Sequence, residues 1–275
     1  LVAVYDRYNA FLGWAIFHSK SQIRLRILSR EDNKPDTAWW QKKALAAVKR
    51  RLNDHTVTQE CCRIINAEGD DFPGLVVDRY ASTLVAIAYT STMVPIFSEI
   101  LDVLNEQLGT TEFHLSTDEK SAKSENDKSI IQTSKQYKNI LSFSEHNLRY
   151  ESRLDLGHKT SFFCDQRENR KFLAEQIKSQ SQTKDNLEVL DVCCYTGGFS
   201  INAAKSGAKK VLGIDLDENA IQAAKRNANL NQLKNITFKH ADAFSYLRTL
   251  QKNQKQFDWI ILDPPKFIQS RRESS

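Results

Sequence analysis

In the C-terminal part of the chain, short apolar runs alternate with longer stretches whose apolar residues recur every three to four positions. Glu188–Val192, Lys210–Ile214, Ile236–Lys239 and Trp259–Leu262 read as strands, and Phe199–Lys205, Glu218–Asn229 and Ala243–Leu250 as the helices between them. Strict alternation of strand and helix predicts a doubly wound, Rossmann-like α/β sheet. Right-handed crossovers bring the strand C-termini to one edge, where a ligand binds. A helix over Asp165–Lys178 precedes the first strand, with Asp165 as N-cap and Glu168 completing a capping box.

The N-terminal part follows a different pattern. Leu1–Tyr5, Phe11–Phe17 and Ile23–Leu28 read as strands of a small β-domain, the last with Arg24 and Arg26 on one face and Ile23, Leu25 and Ile27 on the other. The polar segment Ser29–Asp36, with Pro35 inside it, reads as a linker. Thr37–Asn53 is a helix with a basic end, Lys42, Lys43, Lys49, Arg50 and Arg51. This end is either a solvated face or a phosphate contact. Strands follow at Cys61–Ile65, Leu75–Arg79 and Thr83–Tyr89, with a turn-rich connection between the first two, and Val94–Leu108 is a helix. Residues 116–136 are polar and Ser/Lys/Glu-rich and read as a flexible insertion. Leu141–Phe143 and Asn147–Asp155 form a hairpin around Ser144, Glu145 and His146. The expected division is a partial β-rich domain at 1–29, an α+β central domain at 36–155 and the Rossmann-like domain at 156–275.

Composition narrows the function classes. Hydrophobic residues make up 40% of the 275 and charged residues 27%, which excludes a disordered chain. No stretch approaches the roughly 20 apolar residues of a membrane-spanning helix. A net charge of +5 permits a polyanionic partner without demanding one. The five cysteines are Cys61, Cys62, Cys164, Cys193 and Cys194. Their odd number and the lack of a CxxC argue against a disulfide framework and against a metal site. They read as buried free thiols in a reducing compartment. The chain opens on Leu1, inside a strand, and is read as a fragment.

The chemistry concentrates at the strand ends. The first strand runs into Leu190-Asp191-Val192-Cys193-Cys194-Tyr195-Thr196-Gly197-Gly198-Phe199-Ser200, whose glycines allow a tight turn and close approach to a ligand. The run is not G-x-G-x-x-G, which disfavours a nicotinamide dehydrogenase. The second strand ends at Asp215, where a carboxylate can accept both ribose hydroxyls of an adenosine ligand. The third leads to Asp242 and Ala243, where an acceptor meets the adenine amine. The fourth runs into Asp263-Pro264-Pro265-Lys266-Phe267. Two prolines stiffen that loop and hold the Asp263 carboxylate and the Pro264 carbonyl as acceptors suited to an amino-bearing planar base. An Asp after a strand is often only a helix N-cap. Four in order, with a Gly-Gly turn after the first, point to a nucleoside-type cofactor.

Three runs carry a resemblance. They are Gly157-His158-Lys159-Thr160-Ser161-Phe162-Phe163-Cys164-Asp165-Gln166-Arg167-Glu168-Asn169-Arg170, the Asp191–Ser200 loop and Asp263–Phe267. Together they resemble the large-subunit ribosomal RNA cytosine-5 methyltransferase family that carries an N-terminal PUA domain. Ile65–Asp70 with Pro73–Tyr80 is similar to its central domain. Serine stands at 161 where the family usually has glycine, and residues 116–136 look unlike it. The resemblance implies S-adenosylmethionine as cofactor, with contacts from Lys159, Phe163, Asp165, Arg167, Asp191, Tyr195, Thr196, Gly197, Asp215, Asp242, Ala243 and Asp263. It implies that residues 1–29 belong to an RNA-binding PUA domain. Ribosomal RNA is the expected partner, a homodimer is admitted, no membrane is involved and the cytoplasm is the expected compartment.

Carbon 5 of cytosine is a poor nucleophile, and its methylation needs a thiolate to add at carbon 6 first. The resemblance implies that this thiolate lies on a later strand, beyond Ser275, in a Ser-Cys-Ser-like motif. Cys164, Cys193 and Cys194 are not assigned to it. Asp263 and Pro264 are expected to position the base. Two alternatives stay open: a methyltransferase acting on an exocyclic amine, which Lys266 after the prolines disfavours, and a non-catalytic RNA-binding protein with a retained cofactor fold.

Overall fold

In the computed structural model, which describes residues 1–53, 60–155 and 162–264, the chain divides into two units. Within the described residues, the first takes in 1–144 and 162–164, and the second 145–155 and 165–264.

The first unit starts with β1 (Val2–Tyr5), β2 (Phe11–Phe17) and β3 (Leu25–Ser29), an antiparallel sheet. Helix α1 (Thr37–Leu52) follows, its N-cap Asp36 accepting the Trp39 N–H at 2.8 Å. Strands β4 (Cys61–Asn66), β5 (Leu75–Tyr80) and β6 (Thr83–Ala88) are antiparallel neighbours. Helix α2 (Val94–Leu108), closed by Gly109 in the left-handed conformation, carries the chain to β7 (Glu112–Thr117), which pairs parallel to β6. Every residue of β6 is buried, as a strand covered on both faces requires. Trp40, Ala44, Ala47 and Val48 of α1 and Phe97, Ile100 and Leu104 of α2 pack in one core with Ile16, Leu28, Ile64, Val77 and Leu84.

Residues 116–136 are not a structureless insertion. Asp118 caps α3 (Glu119–Glu125), Asn126 ends it in the left-handed conformation, and β8 (Ile131–Thr133) adds an antiparallel edge to β7. Local capping and the burial of Ala122 and Glu125 outweigh the polar composition. The alternation in β3 is present, but its apolar side is not core: Leu25 and Ile27 are exposed, while Leu28, shifted by a bulge opposite Trp14, points inward with Ile16.

Strands β9 (Ile140–Glu145) and β10 (Leu148–Arg153) form the expected hairpin, and the unit boundary falls at its turn end. The turn is made by His146 and Asn147, both with positive φ, so Glu145 is a strand residue rather than a turn residue.

In the second unit, helix α4 (Arg167–Ser181) is preceded by a short 3-10 turn at Cys164–Gln166. Asp165 is not its N-cap and no capping box forms: Gln166 holds the cap position without a side-chain bond, and Glu168 accepts from Arg167 Nε at 3.0 Å. After it come β11 (Glu188–Val192), α5 (Gly198–Lys205), β12 (Lys210–Asp215), α6 (Glu218–Leu230), β13 (Ile236–His240), α7 (Ala243–Lys252) and β14 (Trp259–Leu262). The sheet is parallel in the order β13-β12-β11-β14. That is the strand pattern of a doubly wound sheet, and the strand order reverses between β11 and β14.

Candidate active site

The crevice at the carboxyl ends of β11 and β14 is where a doubly wound sheet binds its ligand. After β11 the backbone turns through Cys193, Tyr195 and Gly197, all with positive φ. The turn is held from β12: Cys194 N–H donates to the Ile214 carbonyl at 3.0 Å, and Tyr195 N–H donates to Asp215 Oδ2 at 2.7 Å. Asp215 Oδ1 accepts the Asp217 N–H at 2.9 Å, so the carboxylate is fixed before any ligand arrives.

Gly197 is required twice over. Its φ is +83°, and a Cβ would lie 3.0 Å from the Phe238 ring and 3.1 Å from Ala224 Cβ. The space it leaves is filled by the domain's own packing.

Asp191 is 1% exposed, and its Oδ2 accepts both the N–H and the hydroxyl of Ser200, at 3.0 and 2.6 Å. Burial pushes its carboxyl up to about 7; the Ser200 bonds oppose this, and the charges of Asp215 and Asp263 add to it. The Cys193 thiol is raised by its own burial and then by Asp215, Asp191 and Asp263. One side chain at the turn thus senses three carboxylates from three strand ends. Such an edge repels a pyrophosphate and favours a cation. The Cys194 thiol is raised further, by burial first, so neither thiol is primed as a nucleophile.

Asp263 and Pro264 are exposed after β14, with Asp263 Oδ2 accepting from Gln166 Nε2 at 3.3 Å. This contact brings the start of α4 to the strand edge. Asp242, after β13, caps α7 by accepting the Ser245 N–H at 2.9 Å, and Ala243 opens that helix half-buried. Arg167 is buried on α4 and Asp165 is exposed before it. Phe163 falls in the first unit, whereas the parallel sheet belongs to the second. Lys159 lies outside the described residues, as do Pro265 and Lys266.

Sequence reading missed five contributors. Asn227, fully buried on α6, donates to the Thr196 carbonyl at 3.2 Å and accepts the Glu151 N–H at 2.8 Å, fastening the turn to β10. The buried Arg170 makes a bidentate pair with Glu145, both contacts at 2.6 Å, behind Gly198. Leu216 and Phe244 are 67% and 60% exposed beside Asp215 and Asp242. Large apolar groups left in water next to acceptors suit the faces of a planar heterocycle. For Leu216 a signal existed: an apolar residue directly follows the strand-end acid.

S-adenosylmethionine fits these groups. It is a cation at sulfur, carries an ammonium, and has ribose hydroxyls and an adenine. Acidic strand ends and flanking apolar side chains match that donor and acceptor set.

Two family models match the chain: a PUA-like domain over residues 1–30 and a methyltransferase domain over 183–270. A ribosomal RNA large subunit methyltransferase from Deinococcus radiodurans is 33% identical over 286 residues, covering 100% of this chain and 68% of that protein. Ribosomal RNA large subunit methyltransferase I of Pseudoalteromonas atlantica is 31% identical over 277 residues, covering 98% and 68%. The chain therefore spans about two thirds of these relatives. A solved Streptococcus mutans protein assigned as a SAM-dependent methyltransferase shares the fold, with a TM-score of 0.79 at 22% identity over 96% of this chain and 68% of that one. No helix among the described residues is long and apolar enough to cross a membrane.

Proposed function

The chain belongs to the ribosomal RNA large subunit methyltransferase family, and from that premise we propose that it transfers a methyl group from S-adenosylmethionine to carbon 5 of a cytosine in large-subunit ribosomal RNA. The observation that carries the cofactor half is Asp215 at the end of β12, holding the turn that follows β11 through the Tyr195 N–H at 2.7 Å, next to the strand-order switch between β11 and β14. Bound S-adenosylmethionine supplies an electrophilic methyl on a cationic sulfur.

The chain's own residues bind and orient. In this reading Asp215 accepts the ribose hydroxyls, while Leu216 and Ala243 with Phe244 flank the adenine and Asp242 accepts from its amine. Tyr195, Thr196 and Gly197 line the approach, and Asp191 holds the turn through Ser200. Asp165 and Arg167, linked to Asp263 through Gln166, close the near side, and Lys159 and Phe163 are assigned to the cofactor from the resemblance alone. Asp263 and the Pro264 carbonyl accept from the amino group of the target base and aim its ring.

The cytosine reading requires a thiolate at carbon 6, which leaves an enamine-like carbon 5 to take the methyl. Cys193 and Cys194 have raised thiols, and Cys61, Cys62 and Cys164 are buried. The thiolate is assigned, from the resemblance, to a strand after the Asp263 loop. Residues 1–29 act as the PUA-like RNA-binding part, 36–155 as the central domain and 156–275 as the methyltransferase domain. A cytoplasmic site of action goes with this reading.

The test is nucleoside analysis of unmodified large-subunit RNA after incubation with the protein and labelled S-adenosylmethionine. The expected product is 5-methylcytidine from a chain that carries the strand with that thiolate, and none from residues 1–275, whose cysteines are not assigned to the step. Label on an exocyclic amine instead would move the reading to the amine-directed alternative.

A further inference from the structure

His18 follows β2, Glu125 closes α3, and Asp127 comes after the left-handed Asn126. All three belong to the first unit. His18 Nε2 lies 3.1 Å from Asp127 Oδ2 and 3.8 Å from Glu125 Oε2, and one donor atom from each residue falls within 4.8 Å of the others. Glu125 is 1% exposed, and its Oε2 has no hydrogen-bond partner among the described residues. The Ser91 hydroxyl donates to Asp127 Oδ2 and brings a further oxygen beside the cluster.

A carboxylate oxygen buried without a partner is costly, and His18 at 3.8 Å is too far to hydrogen-bond it. Two carboxylates and an imidazole thus converge within 4.8 Å, and one of the carboxylate oxygens is buried with no hydrogen-bond partner among the described residues. We propose that His18 Nε2, Glu125 Oε2 and Asp127 Oδ2 form a binding site for a divalent transition-metal ion, with Zn2+ as the best fit.

The chemistry selects the ion. An imidazole ligand suits zinc and its neighbours rather than magnesium or calcium. Bonds of about 2.0–2.2 Å in tetrahedral geometry set donors roughly 3.3–3.5 Å apart; the 3.1 and 3.8 Å distances from His18 Nε2 lie on either side of that spacing, and all three donor atoms fall within 4.8 Å. The fourth position is left for water or for Ser91 Oγ. Asp127 also lines an open surface hollow with Asn126 and Ser129, as well as the cationic Lys123 and Lys128, which gives the ion a way in. Bound there, it would tie the end of β2 to the end of α3, residues 109 positions apart. The cysteine pattern gave no hint of it, because none of its ligands is a cysteine.

The site stands apart from methyl transfer, so its test does not depend on that reading. The chain is stripped with a chelator and titrated by calorimetry with Zn2+ alone, with Mg2+ as the contrast. One Zn2+ per chain is expected, with a Kd below about 10 µM and no comparable Mg2+ binding. Glu125→Gln and Asp127→Asn should each weaken it at least tenfold. Co2+ should give the visible absorption of a four-coordinate ion in the wild type and in neither variant. Circular dichroism checks folding, and Asp127→Asn, on a half-exposed residue, decides the matter if Glu125→Gln unfolds. Absence of Zn2+ binding by the wild type overturns the proposal and leaves His18 as an ion-pair partner only. Undiminished binding by Asp127→Asn overturns it equally, by putting the metal elsewhere.

Discussion

The Asp215 carboxylate accepts the Tyr195 backbone N–H at 2.7 Å, so the acid that ends β12 also shapes the turn that follows β11. With Asp217 N–H on its other oxygen, Asp215 is oriented from both sides. In the proposed function, cofactor binding and preorganisation rest on this one side chain, and this decides how its variants should behave. Asp215→Asn keeps an acceptor for Tyr195 but loses the charge, while Asp215→Ala loses both.

Asp191 gives a prediction in pH. Its carboxyl, raised to about 7 by burial, holds its proton more tightly in the folded than in the unfolded chain. The stability this contributes is complete below the ordinary carboxylate range and is lost as pH rises through about 7. Between about pH 6 and pH 8 the wild type should lose about 1 kcal/mol that Asp191→Asn does not lose. Urea unfolding at the two pH values checks it; parallel trends in both proteins would sink the assignment.

Glu145 and Arg170 give a prediction in stability. Both are almost fully buried and their pairing is bidentate. Removing one partner strands a buried charge, so Glu145→Ala should cost about 3 kcal/mol or more. An exposed pair, such as Arg153 with Asp155, should cost far less when broken, because solvent screens it. Equal losses at the two sites, read from denaturant midpoints, would refute the distinction.

The basic end of α1 separates into two roles. Arg50 and Arg51 both hydrogen-bond Asp70, which is 3% exposed, and Lys43 pairs with Asp71. Burial alone would raise the Asp70 carboxyl, but Arg51, Arg50 and the Asn66 N–H outweigh it and hold it low. Arg51→Ala should therefore destabilise the fold by about 2 kcal/mol. Lys42 and Lys49 are exposed, so replacing both with Ala should leave stability unchanged. It should weaken binding of a ribosomal RNA fragment and lower the salt slope by about one per lysine. A salt slope unchanged by the double lysine variant would remove this face from the RNA contact.

These contrasts show what the sequence could carry. The parallel sheet was legible because each strand and helix of the second unit obeys its own period, and Glu188–Val192 and Trp259–Leu262 fall where the pattern put them. Strand-end acids were legible as positions, since topology alone brings them to one edge. Their partners were not. That Asn227 would reach back to Thr196, or Glu145 to Arg170, depends on tertiary packing between elements far apart in the chain. The start of α4 was misread because Asp165 matches a cap in sequence while the backbone spends that turn in 3-10 geometry. The 116–136 segment was misread because composition does not register the caps at Asp118 and Asn126.

The most direct test of the account is cofactor binding at the β11–β14 edge. S-adenosylhomocysteine is titrated by calorimetry into the wild-type chain and into Asp215→Asn and Asp215→Ala, with NAD as the control ligand. The account predicts one site in the wild type, no measurable NAD binding, and affinity at least tenfold lower, about 1.4 kcal/mol, in Asp215→Ala, with circular dichroism unchanged. Asp215→Asn should fall between them, since it keeps the Tyr195 contact. Wild-type affinity in Asp215→Ala, or equal binding of NAD, would contradict it.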